Sequence, residues 1–128
     1  MEPQVTFSSE FFKPIPGEDN QTTPGRYGKA LAEWLAERLR ERGVPIEGVI
    51  PEDFGWVVMV SRTPFMLWLG CGNTDGSTTD WSIFPAAEPS LMQRLFRHID
   101  PTSEIEKLKA HLADLVPKIP GVSSVVWE

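Results

Sequence analysis

Cysteine is nearly absent from this chain: Cys71 is the only one among 128 residues. No intramolecular disulfide can form, which fits a reducing compartment. Histidine is also scarce, with only His98 and His111. Sites of the zinc type need cysteine and histidine ligands at paired spacings, and the sequence has none. We therefore predict no metal site of this type and no other cofactor.

Long apolar runs are missing as well. The segment 54–73 is about as long as a membrane span, but the polar residues 61–64 lie at its centre, where a bilayer would penalise them most. The N-terminal residues include Glu2 and Glu10 and no continuous apolar stretch, so the pattern predicts no signal peptide. We expect a cytoplasmic protein that makes no membrane contact.

Positive charge is in deficit. The chain has 12 Lys and Arg against 18 Asp and Glu, which gives a net charge of −6. Nucleic-acid binding requires clustered cations, and the one arginine-dense stretch, 38–42, is interrupted by Glu41 and preceded by Glu37. The arginine and glutamate side chains of such a stretch pair with one another on a solvated helix face. We expect no nucleic-acid partner.

What is present suits one folded domain over residues 1–128. The chain is 41% hydrophobic and 23% charged, and these are ordinary globular proportions. A domain of this length buries roughly two-thirds of the surface that its unfolded chain exposes. A core can therefore form without disulfides or metal.

Two short apolar runs, 56–60 and 65–69, dominate the middle of the sequence. Both are rich in β-branched and aromatic residues, and a polar turn separates them, which is typical of a β-hairpin. Neither run alternates between apolar and polar residues. We therefore expect both faces of the hairpin to be covered, as they are in the middle of a sheet.

A helix is predicted from Pro24 to Arg42, with Thr23 as its cap and Gly43 after its end. Its apolar stripe consists of Tyr27, Leu31, Trp34, Leu35 and Leu39. Further strands are predicted over 4–12, 46–50, 81–84 and 122–127, and further helices over 89–98 and 102–116. The order β-α-β-β-β-β-α-α-β predicts a two-layer α+β domain with a mainly antiparallel sheet and helices packed mainly on one face.

Cys71 lies between Gly70 and Gly72 at the end of the second apolar run. Accessible backbone N–H groups there could hold an anion beside Asn73. A nucleophilic thiol, however, needs a base or a positive environment, and the sequence places neither histidine near it. We therefore favour a buried structural thiol.

The predicted helix opens with PGRYGK, residues 24–29, so that Arg26 and Lys29 lie near its positive end with Tyr27 between them. Free N–H groups and two cations could attract an anion, although this glycine spacing is not that of a P-loop. Cations at this end are unfavourable for the helix itself. We favour an internal ion pair with Glu52 or Asp53 over a bound ligand.

Carboxylates flank the predicted hairpin at one end, with Glu52 and Asp53 before it and Asp75 and Asp80 after it. Grouped carboxylates could support acid–base chemistry or hold a divalent cation. The spacing of an EF-hand is absent, and Asp75 followed by glycine is more simply a turn.

Five tryptophans are many for a chain with one tyrosine. Tryptophan is frequent at binding hot spots but also fills cores. We expect Trp34 and Trp68 to be core residues. Trp56, Trp81 and Trp127 lie near strand ends and are either core or partly exposed contact residues.

Several segments resemble small bacterial proteins of uncharacterised function: PGRYG (24–28), EDFGW (52–56), LGCGN (69–73) and PGVSSVVW (120–127). The resemblance covers most of the chain. It implies a stand-alone bacterial domain and no particular activity.

The leading hypothesis is a non-catalytic module that binds another protein, as immunity proteins, inhibitors and small adaptors do. Small size, acidic charge and surplus tryptophan favour it. The contact surface would combine Trp56, Trp81 and Trp127 with the loop 13–25.

Two other functions remain open. One is a small-molecule or anion site, or a minor enzyme, at the hairpin end, with Arg26 as the anion holder, Glu52 or Asp53 as the acid–base group, and Cys71 or Asn73 beside the ligand. The other is a homodimer that pairs through the apolar hairpin.

Overall fold

The computed structural model describes residues 4–74, 76–89 and 100–128. These residues contain six strands and two α-helices. The strands are β1 (Val5–Ser8), β2 (Gly48–Glu52), β3 (Gly55–Ser61), β4 (Phe65–Asn73), β5 (Asp80–Pro89) and β6 (Ser123–Trp127), and the helices are α1 (Lys29–Glu41) and α2 (Thr102–Leu115). Asp75 and residues 90–99, with nearly all of the helix predicted over 89–98, lie outside the described residues.

The strands form one antiparallel sheet in the order β2-β3-β4-β5-β1-β6. The β3–β4 hairpin lies inside the sheet, with β2 and β5 as its outer neighbours. β5 pairs with the whole of β4, from Phe65 opposite Pro89 to Asn73 opposite Trp81. The predicted two-layer α+β domain with a mainly antiparallel sheet is confirmed.

Both helices pack on one face of the sheet, and the main core lies between the two layers. Side chains of a strand point alternately to its two faces, and one set from β1, β3, β4 and β5 enters this core. Val58 of β3 and Leu69 of β4 meet Leu35 of α1 and Leu112 of α2 in one continuous apolar cluster. The other set of strand residues faces away from both helices.

The start of α1 differs from the sequence prediction. The helix begins at Lys29 rather than Pro24, so Tyr27 precedes it. Gly25 and Gly28 have φ values of +83° and +154°, which lie far from helical geometry and which glycine alone adopts readily. Residues 24–28 therefore form an irregular turn that leads into the helix.

β5 is longer than the predicted strand 81–84 and continues through Pro85 to Pro89. β1 pairs with β5 only as far as Ile83. Pro85 lies beyond this last pair with β1. A proline there whose missing N–H points toward the β1 side removes no hydrogen bond between β4 and β5. The tertiary pairing with β4 thus extends this strand beyond residue 84, where the prolines predicted its end.

Substitution of Gly70 by alanine tests how tightly the face opposite the helices is packed. A Cβ at Gly70 would overlap with the ring of Phe84, and overpacking of this kind costs about 1–3 kcal/mol. Urea unfolding should show this loss for Gly70→Ala. Gly48→Ala, also on a strand but with open space at the added Cβ, should lose none, and equal losses would contradict the packing described.

Candidate functional site

The two ends of the β3–β4 hairpin lie side by side, because Trp56 pairs with Cys71. A Cβ added to Gly28 would lie 2.7 Å from the carbonyl oxygen of Cys71, and one added to Gly55 would overlap with the same oxygen. Gly72 approaches the carbonyl oxygen of Phe54 in the same way, at 2.8 Å from its added Cβ. Segments 24–28, 52–56 and 69–73 therefore meet in one place, the glycine junction.

Asn73 connects the glycine junction to its surroundings and is itself buried. Its Oδ1 accepts from the N–H of Tyr27 at 3.0 Å, and its Nδ2 donates to the carbonyl oxygens of Gly25 at 2.9 Å and Ser77 at 2.8 Å. Its backbone carbonyl accepts from Nη1 of Arg26 at 3.2 Å. Each polar atom of the amide thus has a partner within the chain.

Glu18 is the buried carboxylate of this region, at 3% exposure. Its Oε2 accepts from the N–H groups of Gly28 at 3.2 Å and Lys29 at 3.0 Å, and its Oε1 accepts from Ile15 at 2.7 Å. It therefore caps the start of α1, where negative charge is stabilised by free N–H groups. Sequence reasoning missed this residue. The signal for it was a helix start that carried cations and needed an acid.

The predicted ion pair of Arg26 or Lys29 with Glu52 or Asp53 is wrong. Both acids are exposed, and the negative charge at the helix start comes from Glu18 instead. Arg26 binds a backbone carbonyl. Lys29 Nζ lies 5.3 Å from the centroid of the Trp56 ring, a cation–π distance.

Cys71 is fully buried, as the structural interpretation predicted. Burial raises the pKa of its thiol far above the usual range, because a thiolate is poorly solvated there. His111 lies on α2, outside the glycine junction, and His98 is outside the described residues. The geometry gives this thiol neither the exposure nor the base of a nucleophile.

Of the carboxylates expected to converge, the three that the structure describes form no cluster suited to a metal ion. Asp80 accepts from the hydroxyl of Ser8 at 2.7 Å, Glu52 and Asp53 face solvent, and Asp75 is not described. Within residues 4–74, 76–89 and 100–128, no group of three or more His, Cys, Asp or Glu side chains is arranged to hold a metal ion.

The tryptophans divide differently from the prediction. Trp56 and Trp81 are buried at 2% and 1% exposure, so partial exposure is excluded for both. Trp81 Nε1 donates to the carbonyl of Ser9 at 3.1 Å. Trp127 is 40% exposed. The expectation that Trp68 fills the main core is wrong, because it lies half-buried on the sheet face opposite the helices.

Trp68 forms an aromatic cluster with Phe54 and Phe84 on that face. Its ring centroid lies 6.0 Å from that of Phe54 and 5.6 Å from that of Phe84, and the two phenylalanine rings are 5.5 Å apart. The rings pack over Gly70, where no side chain intervenes. We call these three residues, together with Met66, the aromatic face.

A shallow groove of about 180 Å³ runs along the aromatic face. It is lined by Glu52, Phe54, Val57, Met59, Met66, Trp68 and Glu88. Val57 and Met59 are buried, whereas both glutamates are exposed. The groove is therefore apolar at its base and acidic at its edge. Strand alternation places Met66, Trp68 and Gly70 on one face of β4, but no sequence signal says that the helices leave this face uncovered.

Comparison with protein-family models, with curated proteins and with solved structures finds no match to this chain. Neither α1 nor α2 has the length and hydropathy that a bilayer-spanning helix needs. Inference about function thus rests on the residues and their geometry.

Replacement of Glu18 by glutamine should cost about 2 kcal/mol of unfolding free energy. In this variant the side-chain NH₂ group would replace one carboxylate oxygen and would face backbone N–H groups. The hydrogen bonds to a charged group that are lost contribute about 1.5–3 kcal/mol. Helix α1 would also lose its negative partner. Glu10→Gln, at an exposed position, should change stability by less than about 0.5 kcal/mol. Equal effects in urea unfolding would refute the capping role.

The buried thiol predicts a specific loss of stability at high pH. The pKa of the Cys71 thiol is raised on folding. The stabilisation that the buried neutral thiol gives the folded state is therefore complete below the unfolded pKa of about 8.5, and it decreases as the pH rises above that value. Between pH 7.5 and 10 the wild type should lose about 2 kcal/mol more than Cys71→Ala. Parallel pH profiles of the two unfolding free energies would contradict burial of a neutral thiol.

Proposed function

We propose that this protein is a non-catalytic module that binds another protein through its aromatic face. The observation that carries the proposal is the cluster of Phe54, Trp68 and Phe84, which lies half-buried on a sheet face that neither α1 nor α2 covers. Aromatic side chains and methionine are enriched where proteins bind one another.

The charge around the groove defines the partner. Glu52 and Glu88 are exposed beside an apolar base, and the chain as a whole carries −6. An apolar segment flanked by Lys or Arg complements this surface, since opposite charges speed encounter and fix orientation. The partner we propose is therefore a protein that presents a basic, apolar segment.

This surface replaces the one expected from the sequence. Trp56 and Trp81 belong to the main core, and alanine there would test stability rather than binding. Trp127 is exposed, but it pairs with Val5, a core-facing residue, and residues directly opposite in a sheet share a face. It therefore lies on the helix side, away from the aromatic face.

The alternative site at the hairpin end gains no support from the geometry. Arg26 and Asn73 are engaged with the backbone, and the Cys71 thiol is enclosed. Cytoplasmic location and bacterial origin are part of the same proposal and rest on sequence alone.

Two matched peptides test the proposal. Both carry the same apolar residues at helical spacing, and one has lysine where the other has glutamate. In ¹H–¹⁵N spectra, the lysine peptide should shift the indole N–H of Trp68. Glu52→Gln combined with Glu88→Gln should weaken binding about tenfold or more, because both charge-assisted contacts are lost.

Trp127→Ala is the control and should bind the lysine peptide as the wild type does. The proposal fails if neither peptide binds, if the glutamate peptide binds equally, or if the shifts avoid Trp68. A concentration-dependent dimer in sedimentation that Trp68→Ala abolishes would show that a second copy, rather than a basic partner, occupies the face.

A further inference from the structure

The strand β6 forms one edge of the sheet, because β1 is its only neighbouring strand among the described residues. An edge strand presents backbone N–H and C=O groups to any other chain, and natural edges are usually protected by charged side chains, proline or a bulge. The opposite edge, β2, contains Pro51 and ends at Glu52. β6 has the sequence SSVVW, with no charge and no proline. Its irregularity lies near its start, where Ser124 has a φ of +55°, so residues 125–127 are an unprotected edge.

The hydrogen bonds to β1 show which backbone groups of β6 face the open edge. The N–H of Glu128 donates to the carbonyl oxygen of Gln4 at 2.9 Å, and the N–H of Gln4 donates back at 3.3 Å. Antiparallel pairs alternate between bonded and non-bonded residues, so Val126 also bonds to β1, whereas Trp127 does not. The N–H and C=O of one trans peptide point in opposite directions. The C=O of Val125 and both backbone groups of Trp127 therefore point away from β1.

The side chains of this edge are apolar and exposed. Val125, Val126 and Trp127 are 40%, 49% and 40% exposed, and they are three of the five large hydrophobic residues that are exposed in the described part of the chain. Backbone groups and apolar side chains are thus open on the same three residues. An added strand satisfies both, since its backbone completes the hydrogen bonds and its side chains cover the apolar surface.

A second copy of β6 complements this edge. When two copies run antiparallel about a two-fold axis at Val126, the N–H of Trp127 meets the C=O of Val125 of the partner subunit, and the symmetry repeats this bond. Val126 then lies opposite Val126 of the partner subunit, and apolar cross-strand pairs of this kind are stabilising. Glu128 is the first charged residue after β6 and lies opposite Ser124 of the partner subunit. No like charges therefore face each other in this register.

We propose that this protein forms a symmetric homodimer in which the two β6 strands pair antiparallel and join the two sheets into one. The interface is β6 and not the β3–β4 hairpin, which lies inside the sheet. A single strand from each copy makes a small interface, so the dimer has a Kd of about 1–100 µM. Each copy carries −6, and salt screens the repulsion between the two copies. Dimerisation is therefore stronger at high ionic strength, and it does not depend on the aromatic face.

Sedimentation equilibrium of the intact protein, from about 10 µM to 1 mM, tests the dimer. Val126→Lys should weaken self-association about tenfold or more, because it places two ammonium groups opposite each other at the two-fold axis. Gln21→Lys is the matched control, since it adds the same charge at an exposed position outside β6, and it should dimerise as the wild type does. A protein that stays monomeric at every concentration, or equal effects of the two variants, would overturn the proposal.

Disulfide trapping tests the register without a change of charge. In the proposed pairing the Cα atoms of residue 126 in the two copies lie about 4.5 Å apart, within the range that a disulfide spans. Val126→Cys should therefore give a covalent dimer in a glutathione buffer, seen on a non-reducing gel. Val125→Cys is the control, because the two residues 125 are diagonal to each other, about 7–8 Å apart, and it should cross-link far less. Cys71 is buried and common to both variants. Equal cross-linking would contradict this register.

The two proposals fail independently. Trp68→Ala should leave the dimer intact, and Val126→Lys should leave binding of the lysine peptide unchanged. A dimer that Trp68→Ala abolishes and Val126→Lys does not would overturn the β6 interface. Loss of peptide binding with dimerisation intact would overturn only the protein-binding proposal.

Discussion

The close approach of three backbone segments at the carbonyl of Cys71 is the constraint on which the rest of this structure depends. Gly28 and Gly55 lie against that oxygen, and any side chain at either position would have to occupy the same space. This contact fixes where α1 begins relative to the end of β4 and the start of β3. The orientation of the helix layer over the sheet follows from it.

Two buried polar side chains make this approach possible. Backbone brought together so closely has N–H and C=O groups that water cannot reach, and each unpaired group would be costly. Glu18 accepts from the first N–H groups of α1, while Asn73 bonds to the turn that precedes the helix. The hydrogen-bonding groups that suggested a ligand site in the sequence therefore bond to one another within the fold.

The sheet has two unlike faces. One face holds the main core and both helices, and the other carries the rings of Phe54, Trp68 and Phe84 with acidic groups beside them. The helix layer in turn leaves a cleft that is lined by Lys107 and His111. The surface that we propose for protein binding thus lies on the side of the sheet opposite the helices.

Sequence patterns determined the local elements of this protein, because those depend on periodicity and turn residues. The stripe of Leu31, Leu35 and Leu39 predicted α1, and the runs 56–60 and 65–69 predicted the hairpin inside the sheet. The class of fold followed from the order of these elements. The buried state of Cys71 followed from its apolar surroundings and the lack of a nearby base.

Only the tertiary structure decided which groups meet across the chain. Glu18 reaches α1 over an intervening loop, and Pro85 stays in a strand because β4 pairs with it. Alternation assigns Trp68 and Leu69 to opposite faces, but both are apolar, and composition does not say which face the helices cover. Packing between elements that are distant in sequence decides which face the helices cover. This packing placed Trp56 in the core and left Trp68 on the opposite face.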